Sequence, residues 1–121
     1  MNIVPNRSKT GFDAEELVAK HLENNGFRII DRNWRKPWGE LDIVAEKDKI
    51  LHFVEVKASN KLSLGFEPFR RADHHKMAKV ARTAETWLMS HKYPSDTPRQ
   101  IDIASVIMNP ANPEIEIFEN I

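Results

Sequence analysis

Cysteine is absent from the 121-residue sequence, which excludes disulfides, thiolate zinc sites and cysteine nucleophiles together. Long apolar runs are also missing, and the first ten residues, MNIVPNRSKT, lack the apolar region of a signal peptide. We therefore expect neither a targeting segment nor a membrane span. The lack of cysteine also fits the reducing cytoplasm, which is the localisation we expect.

An excess of charge of either sign is missing too, because 18 basic residues balance 18 acidic ones. This neutrality counts against a strong nucleic-acid binder. The charges are unevenly distributed, however: residues 57–82 hold seven basic residues and two acids, whereas residues 94–121 hold five acids and one arginine. Such polarisation can produce a basic face on a neutral protein. Plain solvated surfaces explain it equally well.

Hydrophobic residues make up 40% and charged residues 30% of the sequence, which is typical of globular proteins. No repeat, low-complexity tract or long linker divides the chain, so we expect one domain over residues 1–121. Apolar spacing and turn residues predict helices at 10–25 and 73–91, strands at 27–34, 41–45, 50–56, 101–108 and 114–118, a loop at 59–68 and a turn at 109–113. This order, α-β-β-β-α-β-β, predicts an α/β fold with a mixed central sheet flanked by helices.

The segments GELDIV and HFVEVK contain the residues most suggestive of chemistry. Side chains alternate along a strand, so Asp42 should point to one face while Leu41 and Ile43 point to the other. By the same rule, Glu55 and Lys57 should share a face. Each segment therefore predicts a polar face opposite an apolar one.

The polar segment EKDK between these strands predicts a hairpin. If its turn is centred between residues 48 and 49, Asp42 lies opposite Glu55, with β-carbons about 5 Å apart. Two such carboxylates repel each other, but a hard divalent cation between them makes them a ligand set. Lys57 adds the positive charge that phosphodiester cleavage requires at developing negative charge, or it positions or deprotonates the attacking water. A plain cross-strand salt bridge is the alternative.

Glu15 is a fourth candidate, because its position on the first predicted helix places it at the edge of an apolar stripe. It lies three residues before Val18 and seven before Leu22. Buried carboxylates require partners. We therefore predict that Glu15, rather than its neighbour Glu16, faces the site.

Basic residues near the second predicted helix are candidates for contacts with a nucleic-acid backbone, and a solvated helix face is the equal alternative: Arg70, Arg71, Lys76 and Lys79. Trp34 and Trp38 flank Arg35 and Lys36, an arrangement that can stack exposed bases. Partial burial of the two tryptophans is the more common outcome. The consecutive His74 and His75 point about 100° apart on a helix, which favours surface positions over metal ligands.

Taken together, GELDIV, HFVEVK and NWR at residues 33–35 closely resemble the YraN-like family of bacterial proteins. That family belongs to the PD-(D/E)XK nuclease superfamily and is similar to archaeal Holliday-junction resolvases. The resemblance extends from Gly11 to about Ile107, and it implies a restriction-endonuclease-like fold. Further positions that match the family's spacing are Gly11, Glu15, Leu22, Gly26, Lys76 and Asp102.

The resemblance implies that Asp42 and Glu55 bind Mg²⁺ or Mn²⁺, that Lys57 is the catalytic lysine, and that Glu15 is an accessory acid. The backbone carbonyl of Val56 commonly completes such a metal shell. The chain departs from the family at positions that do not touch these ligands: Ala14 in place of glycine, Ser59 in place of a basic residue, and Gln100-Ile101 in place of Arg-Phe.

We therefore predict a metal-dependent endonuclease acting on DNA, in preference to RNA, with branched or structured DNA as a candidate substrate. A nucleic-acid-binding module with a silent site and a protein-interaction module are the alternatives, because a fold does not establish a function. Resolvase-like relatives often dimerise, so a homodimer is also an expectation. No residue pattern identifies a dimer face.

Overall fold

The computed structural model describes residues 9–59, 74–108 and 112–120. Its elements are helix α1 (Lys9–Asn24), strands β1 (Arg28–Lys36), β2 (Gly39–Lys47) and β3 (Ile50–Ser59), helix α2 (His74–Ser90), and strands β4 (Arg99–Ile107) and β5 (Glu114–Phe118). The predicted order α-β-β-β-α-β-β is confirmed. Apart from Ser59, the predicted loop at 59–68 lies outside the described residues, as do positions 109–111 of the predicted turn.

The five strands form one mixed sheet in the order β1-β2-β3-β4-β5. Strands β3 and β4 are parallel, and every other neighbouring pair is antiparallel. A parallel pair requires a long crossover connection, and α2 lies in that connection. The predicted mixed sheet is therefore confirmed.

Each face of the sheet packs against one helix. Val54 contributes to the core under α1, whereas its neighbour Phe53 contributes to the core under α2. Because consecutive strand residues point to opposite faces, the two helices must lie on opposite sides. The α1-side core is built from Ala14, Val18, Ala19, Leu22, Ile43, Ala45, Val54, Ala104 and Val106. The α2-side core is built from Leu41, Val44, Leu51, Phe53, Val80, Ala84, Trp87 and Leu88.

Helix α1 ends through a left-handed glycine, as the Asn25-Gly26 pair predicts. Gly26 has a φ of +90°, which residues with a β-carbon rarely adopt. The N–H of Phe27 donates to the carbonyl of Leu22 at 3.0 Å, closing the last turn. Within the described part of the chain, neither helix has the length and apolar character needed to cross a bilayer.

A two-residue turn joins β2 to β3 and sets their register. Lys47 pairs with Ile50, and the intervening Asp48 and Lys49 have φ angles of 52° and 66°. Positive φ at both central residues is characteristic of the type I′ turn, whose twist suits a hairpin. The hairpin predicted from the sequence, centred between residues 48 and 49, is confirmed.

Lys49→Gly is expected to stabilise the protein by about 0.5–1 kcal/mol, because glycine adopts positive φ without the steric cost that lysine bears. The free energy of unfolding, measured by urea denaturation, checks this. Lys20→Gly is the matched control, since Lys20 is exposed within α1. Glycine there is expected to destabilise the protein by about 1 kcal/mol. Destabilisation by both substitutions would contradict the proposed turn geometry.

Candidate functional site

The register of the β2–β3 hairpin brings Asp42 and Glu55 together. Its pairs run from Lys47 with Ile50 to Ile43 with Val54. Asp42 and Glu55 are the next residues along the two strands, and they lie close enough for the charge of Glu55 to raise the pKa of Asp42. Both side chains are buried, with 7% and 5% of their residues' surface exposed.

The strict alternation predicted for β2 is wrong at Leu41. Ile43 packs in the α1-side core, but Leu41 packs with Val44 in the α2-side core. The break coincides with the end of the regular β2–β3 pairing, where the Asp42 carboxylate accepts a hydrogen bond from the N–H of Val56 at 2.8 Å. The Asp42 side chain therefore bridges to β3 at the position where the regular pairing ends. This irregularity is invisible in the spacing of the sequence.

Helix α1 contributes a third buried acid to this region. Glu15 is 5% exposed, and its negative charge raises the pKa of Asp42. Glu16, by contrast, is exposed and pairs with Arg32 at 2.9 Å. The prediction that Glu15 faces inward and Glu16 faces solvent is confirmed. The exposed Glu40, two residues before Asp42, also raises the pKa of the Asp42 carboxyl.

These surroundings raise the pKa of Asp42 to about 7 from its ordinary value of 3.8. Burial is the largest cause, and the negative charge of Glu55 is the next. The hydrogen bond from Val56 acts in the opposite direction, while Glu15 and Glu40 raise the pKa further. Burial and neighbouring negative charges therefore dominate the surroundings of the Asp42 carboxyl.

A cation from α2 reaches the cluster. Lys76 Nζ lies 2.6 Å from Glu55 Oε2. Burial lowers the pKa of Lys76, but its hydrogen bond and attraction to Glu55 outweigh that effect and raise the pKa above its ordinary value. Lys76 also approaches Lys57, so Glu55 and Lys57 both face α2, as strand alternation predicts. The sequence suggested only a phosphate-contacting role for Lys76, because residues 21 positions apart show no local signal of pairing.

Glu55 and Lys76 line an open cleft of about 390 Å³ between the sheet and α2. The other lining residues are Gly39, Glu40, His75, Lys79, Val80 and Thr83. A β-carbon on Gly39 would collide with the hydroxyl of Thr83, so glycine permits the close approach of β2 to α2. His75 is exposed at this cleft and does not lie in the core.

The chemistry of the acid cluster fits a magnesium-like ion. Mg²⁺ prefers oxygen ligands and is usually held by one or two carboxylates, with water and substrate phosphates completing its shell. Asp42 and Glu55 supply that minimum. Among the residues that the structure describes, no three His, Cys, Asp or Glu side chains form a ready-made metal cage. The described residues therefore suit a metal ion whose remaining ligands are water and substrate oxygens.

The remaining basic candidates are distributed around the hairpin that joins β1 to β2 and along α2. Arg35 pairs with Glu40 at 3.3 Å, and Lys36 Nζ lies 5.1 Å from the ring centre of Trp34. Lys79 is exposed at the cleft. Arg70 and Arg71 lie outside the described residues.

The two tryptophans differ in exposure. Trp34 packs partly buried against the α2-side core, whereas Trp38 is 41% exposed at the turn between β1 and β2. Of these two tryptophans, Trp38 is the one that presents a broad aromatic surface to solvent. Trp87 of α2 is fully buried.

Asp102 belongs to a separate polar cluster that the sequence did not reveal. It accepts hydrogen bonds from Gln100 at 2.8 Å and from the N–H of Asn120 at 2.9 Å, and it pairs with the buried His52 at 2.7 Å. These contacts join β3, β4 and the segment after β5. His52 alternates with the α2-facing Phe53, so this cluster lies on the face opposite Glu55.

Residues 14–106 match the family described as "Uncharacterised protein family UPF0102". The chain belongs to this family. The YraN-like identity inferred from GELDIV and HFVEVK is thereby confirmed. The matched region includes Glu15, Asp42, Glu55, Lys57 and Lys76.

Several UPF0102 proteins are similar to this chain over nearly its whole length. One from Paenarthrobacter aurescens is 43% identical over 99 residues, covering 82% of this chain and 80% of the relative. One from Campylobacter lari is 37% identical over 111 residues, covering 92% and 91%. A solved structure of Pyrococcus furiosus SfsA in complex with Ca²⁺ is more remote, with 18% identity and a TM-score of 0.35. That match covers 91% of this chain and 62% of the other.

Asp42→Asn is expected to stabilise the metal-free protein at pH 8. Because the folded state holds the Asp42 proton more tightly than the unfolded state, stability is lost as the pH rises from about 4 through 7. The wild type then bears a penalty of up to about 4 kcal/mol, which the neutral asparagine avoids while retaining an acceptor for Val56. Denaturant unfolding in EDTA at pH 5 and pH 8 measures the difference.

The stabilisation at pH 5 should be less than half of that at pH 8, because most of the penalty accrues above pH 5. Asp96→Asn is the matched control, since Asp96 is exposed and should give little change at either pH. An Asp42→Asn effect that does not depend on pH would contradict the electrostatic explanation.

Proposed function

We propose that this UPF0102 protein is a metal-dependent endonuclease that hydrolyses phosphodiester bonds in DNA, with Mg²⁺ or Mn²⁺ as its cofactor. The observation that carries the proposal is the buried pair Asp42 and Glu55. The charge of Glu15 raises the pKa of Asp42, and Lys76 forms an ion pair with Glu55. Glu55 opens onto a cleft, so a substrate phosphate has access to this cluster.

The proposal assigns a separate task to each group. Asp42 and Glu55 hold the metal, with the backbone carbonyl of Val56 as a third ligand and Glu15 as an accessory acid. When bound, the ion supplies Lewis-acid polarisation of the phosphate and lowers the pKa of a bound water. Lys57 stabilises negative charge that develops on the phosphate or orients the attacking water. The hydrogen bond from Val56 fixes the Asp42 carboxylate for this purpose.

The raised pKa of Asp42 favours this proposal over a structural salt bridge. A carboxylate whose main partner is a cation has a lowered pKa. The pKa of Asp42 is instead raised, chiefly by burial and by the charge of Glu55. Acids kept in this destabilised arrangement occur preferentially at functional sites. A divalent cation would relieve the repulsion that the folded protein otherwise bears.

The surroundings of the cleft support a nucleic acid as the substrate. Lys79 and His75 line the same cleft as Glu55, and Lys36 is exposed near the Gly39 end of β2. Contacts with phosphates position a duplex without reading its sequence. The exposed Trp38 adds a surface on which an unpaired base can stack. These features together favour DNA with exposed bases near the cleavage point, such as branched DNA.

A second candidate is a nucleic-acid-binding module whose nuclease site is silent. The 2.6 Å contact between Lys76 and Glu55 favours it, because a protein cation then neutralises the carboxylate that a metal would otherwise need to bind. Cleavage assays separate the two candidates.

Purified protein is expected to cleave linear, single-stranded or four-way-junction DNA in Mg²⁺ or Mn²⁺. Asp42→Ala and Glu55→Ala should each reduce the rate by at least about 100-fold, since each removes a ligand of the activating ion. Gel electrophoresis of labelled DNA measures the rate, and circular dichroism verifies folding. Glu16→Ala is the matched control, because Glu16 is an exposed acid on α1 and should leave the rate unchanged.

DNA binding without cleavage in either metal would favour the binding module. The absence of binding at modest salt would instead favour a protein-interaction role. Cleavage that persists in both Asp42→Ala and Glu55→Ala would overturn the assigned site.

Trp38→Ala is expected to weaken binding of single-stranded DNA by about 1–3 kcal/mol, the usual value of one stacked base. Trp38→Phe should retain most of the affinity. Fluorescence anisotropy of labelled DNA in EDTA measures binding without cleavage. Met89→Ala is the control, because Met89 is the other large exposed hydrophobic side chain in the described part of the chain, at 72% exposure. Equal losses in the two alanine variants would contradict base stacking at Trp38.

A further inference from the structure

Lys76 has an unusual position for a phosphate-contacting residue, because its ammonium group is bound to a proposed metal ligand. Its Nζ lies 2.6 Å from Glu55 Oε2, with 6% of the Glu55 side chain exposed and 44% of the Lys76 side chain exposed. The contact thus joins a buried, fixed carboxylate to a long side chain that remains partly in solvent. Lys76 also lines the cleft.

The charges around Lys76 explain why its ammonium is held there. Glu55 is the dominant attraction and Asp42 contributes further, so Lys76 is attracted by the same two acids that would attract a divalent cation. The ammonium group therefore supplies part of the neutralisation that an ion would supply. A lysine is suited to this because it is a compact point charge on a flexible stem.

A metal ion bound to the Glu55 carboxylate and the Lys76 ammonium group in this position would repel each other. A magnesium ion would lie about 2.0–2.1 Å from its carboxylate oxygen, while the ammonium already occupies a position 2.6 Å from Glu55 Oε2. Two cations sharing that oxygen would repel strongly in a largely buried site. Since Glu55 is anchored in a central strand and Lys76 is near the solvent-exposed start of α2, Lys76 is the group able to move.

We propose that Lys76 is an exchangeable cation: metal binding at Glu55 displaces its ammonium group into the cleft, where it binds a phosphate of the substrate backbone. This inference rests on the proposed metal-dependent function and adds a coupling between the two ligands. Metal binding releases Lys76 for the phosphate, and the phosphate stabilises the released position. By linkage, each ligand should then increase the affinity for the other.

Calcium binding measured by isothermal titration calorimetry tests the competition without DNA and without catalysis. Lys76→Met removes the charge while retaining an unbranched side chain, and it should bind Ca²⁺ about tenfold more tightly than the wild type, because no resident cation must be displaced. A tenfold change corresponds to about 1.4 kcal/mol. Lys79→Met is the matched control, since Lys79 lines the same cleft one helical turn later and should change the affinity less than twofold.

DNA binding measured by anisotropy tests the second half of the exchange. In EDTA, Lys76 is retained by Glu55, so Lys76→Met should change DNA affinity less than twofold. In Ca²⁺, the same variant should bind DNA about tenfold more weakly than the wild type. Lys79→Met should weaken DNA binding similarly in both conditions, because its position does not depend on the metal. Circular dichroism in each buffer verifies that the variants fold.

The outcomes distinguish this inference from the function on which it rests. Equal Ca²⁺ affinity in Lys76→Met and the wild type, with binding lost in Glu55→Gln, would overturn the exchange and leave the metal site intact. Equal tightening in Lys76→Met and Lys79→Met would also overturn it, by showing a general charge effect. Failure of every variant and of the wild type to bind Ca²⁺ or Mn²⁺ would overturn the proposed function together with the exchange.

Discussion

The hydrogen bond from the Val56 N–H to the Asp42 carboxylate is the contact on which the geometry of the candidate site depends. It lies where the regular pairing of β2 with β3 ends, and it replaces a backbone partner with a side chain. A carboxylate anchored in this way remains buried beside Glu55 although the two repel each other. The change of packing side at Leu41 occurs at the residue next to this contact.

Both helices are needed to complete this arrangement. Helix α1 brings Glu15 to the acids from one face of the sheet, and α2 brings Lys76 from the other. Asp42 interacts with groups from both sides because it occupies the end of the paired region. Because burial and neighbouring charges raise the pKa of Asp42, ionisation of this carboxyl costs stability in the folded protein. The apolar cores under α1 and α2 supply stabilising burial that offsets this cost.

Membership of UPF0102 establishes kinship over residues 14–106, and the chemistry must be argued from the site itself. The contacts of Asp102 illustrate the distinction. This acid matches the family pattern as Glu55 does, yet it joins His52, Gln100 and the Asn120 backbone on the opposite face of the sheet. Of two residues that match the family pattern, one can therefore stabilise the fold while the other belongs to the candidate site. Burial, partners and charge separate the two cases.

The sequence alone determined the order of elements, the hairpin register and the inward position of Glu15, because strand and helix periodicity and turn chemistry are local properties. It did not determine the change of packing side at Leu41, the contact of Lys76 with Glu55, or the pairing of His52 with Asp102. Those features join residues far apart in the chain or depend on where two strands separate. The pairing of the strands and the packing of both helices on the sheet fix such distances, and periodicity contains no information about them.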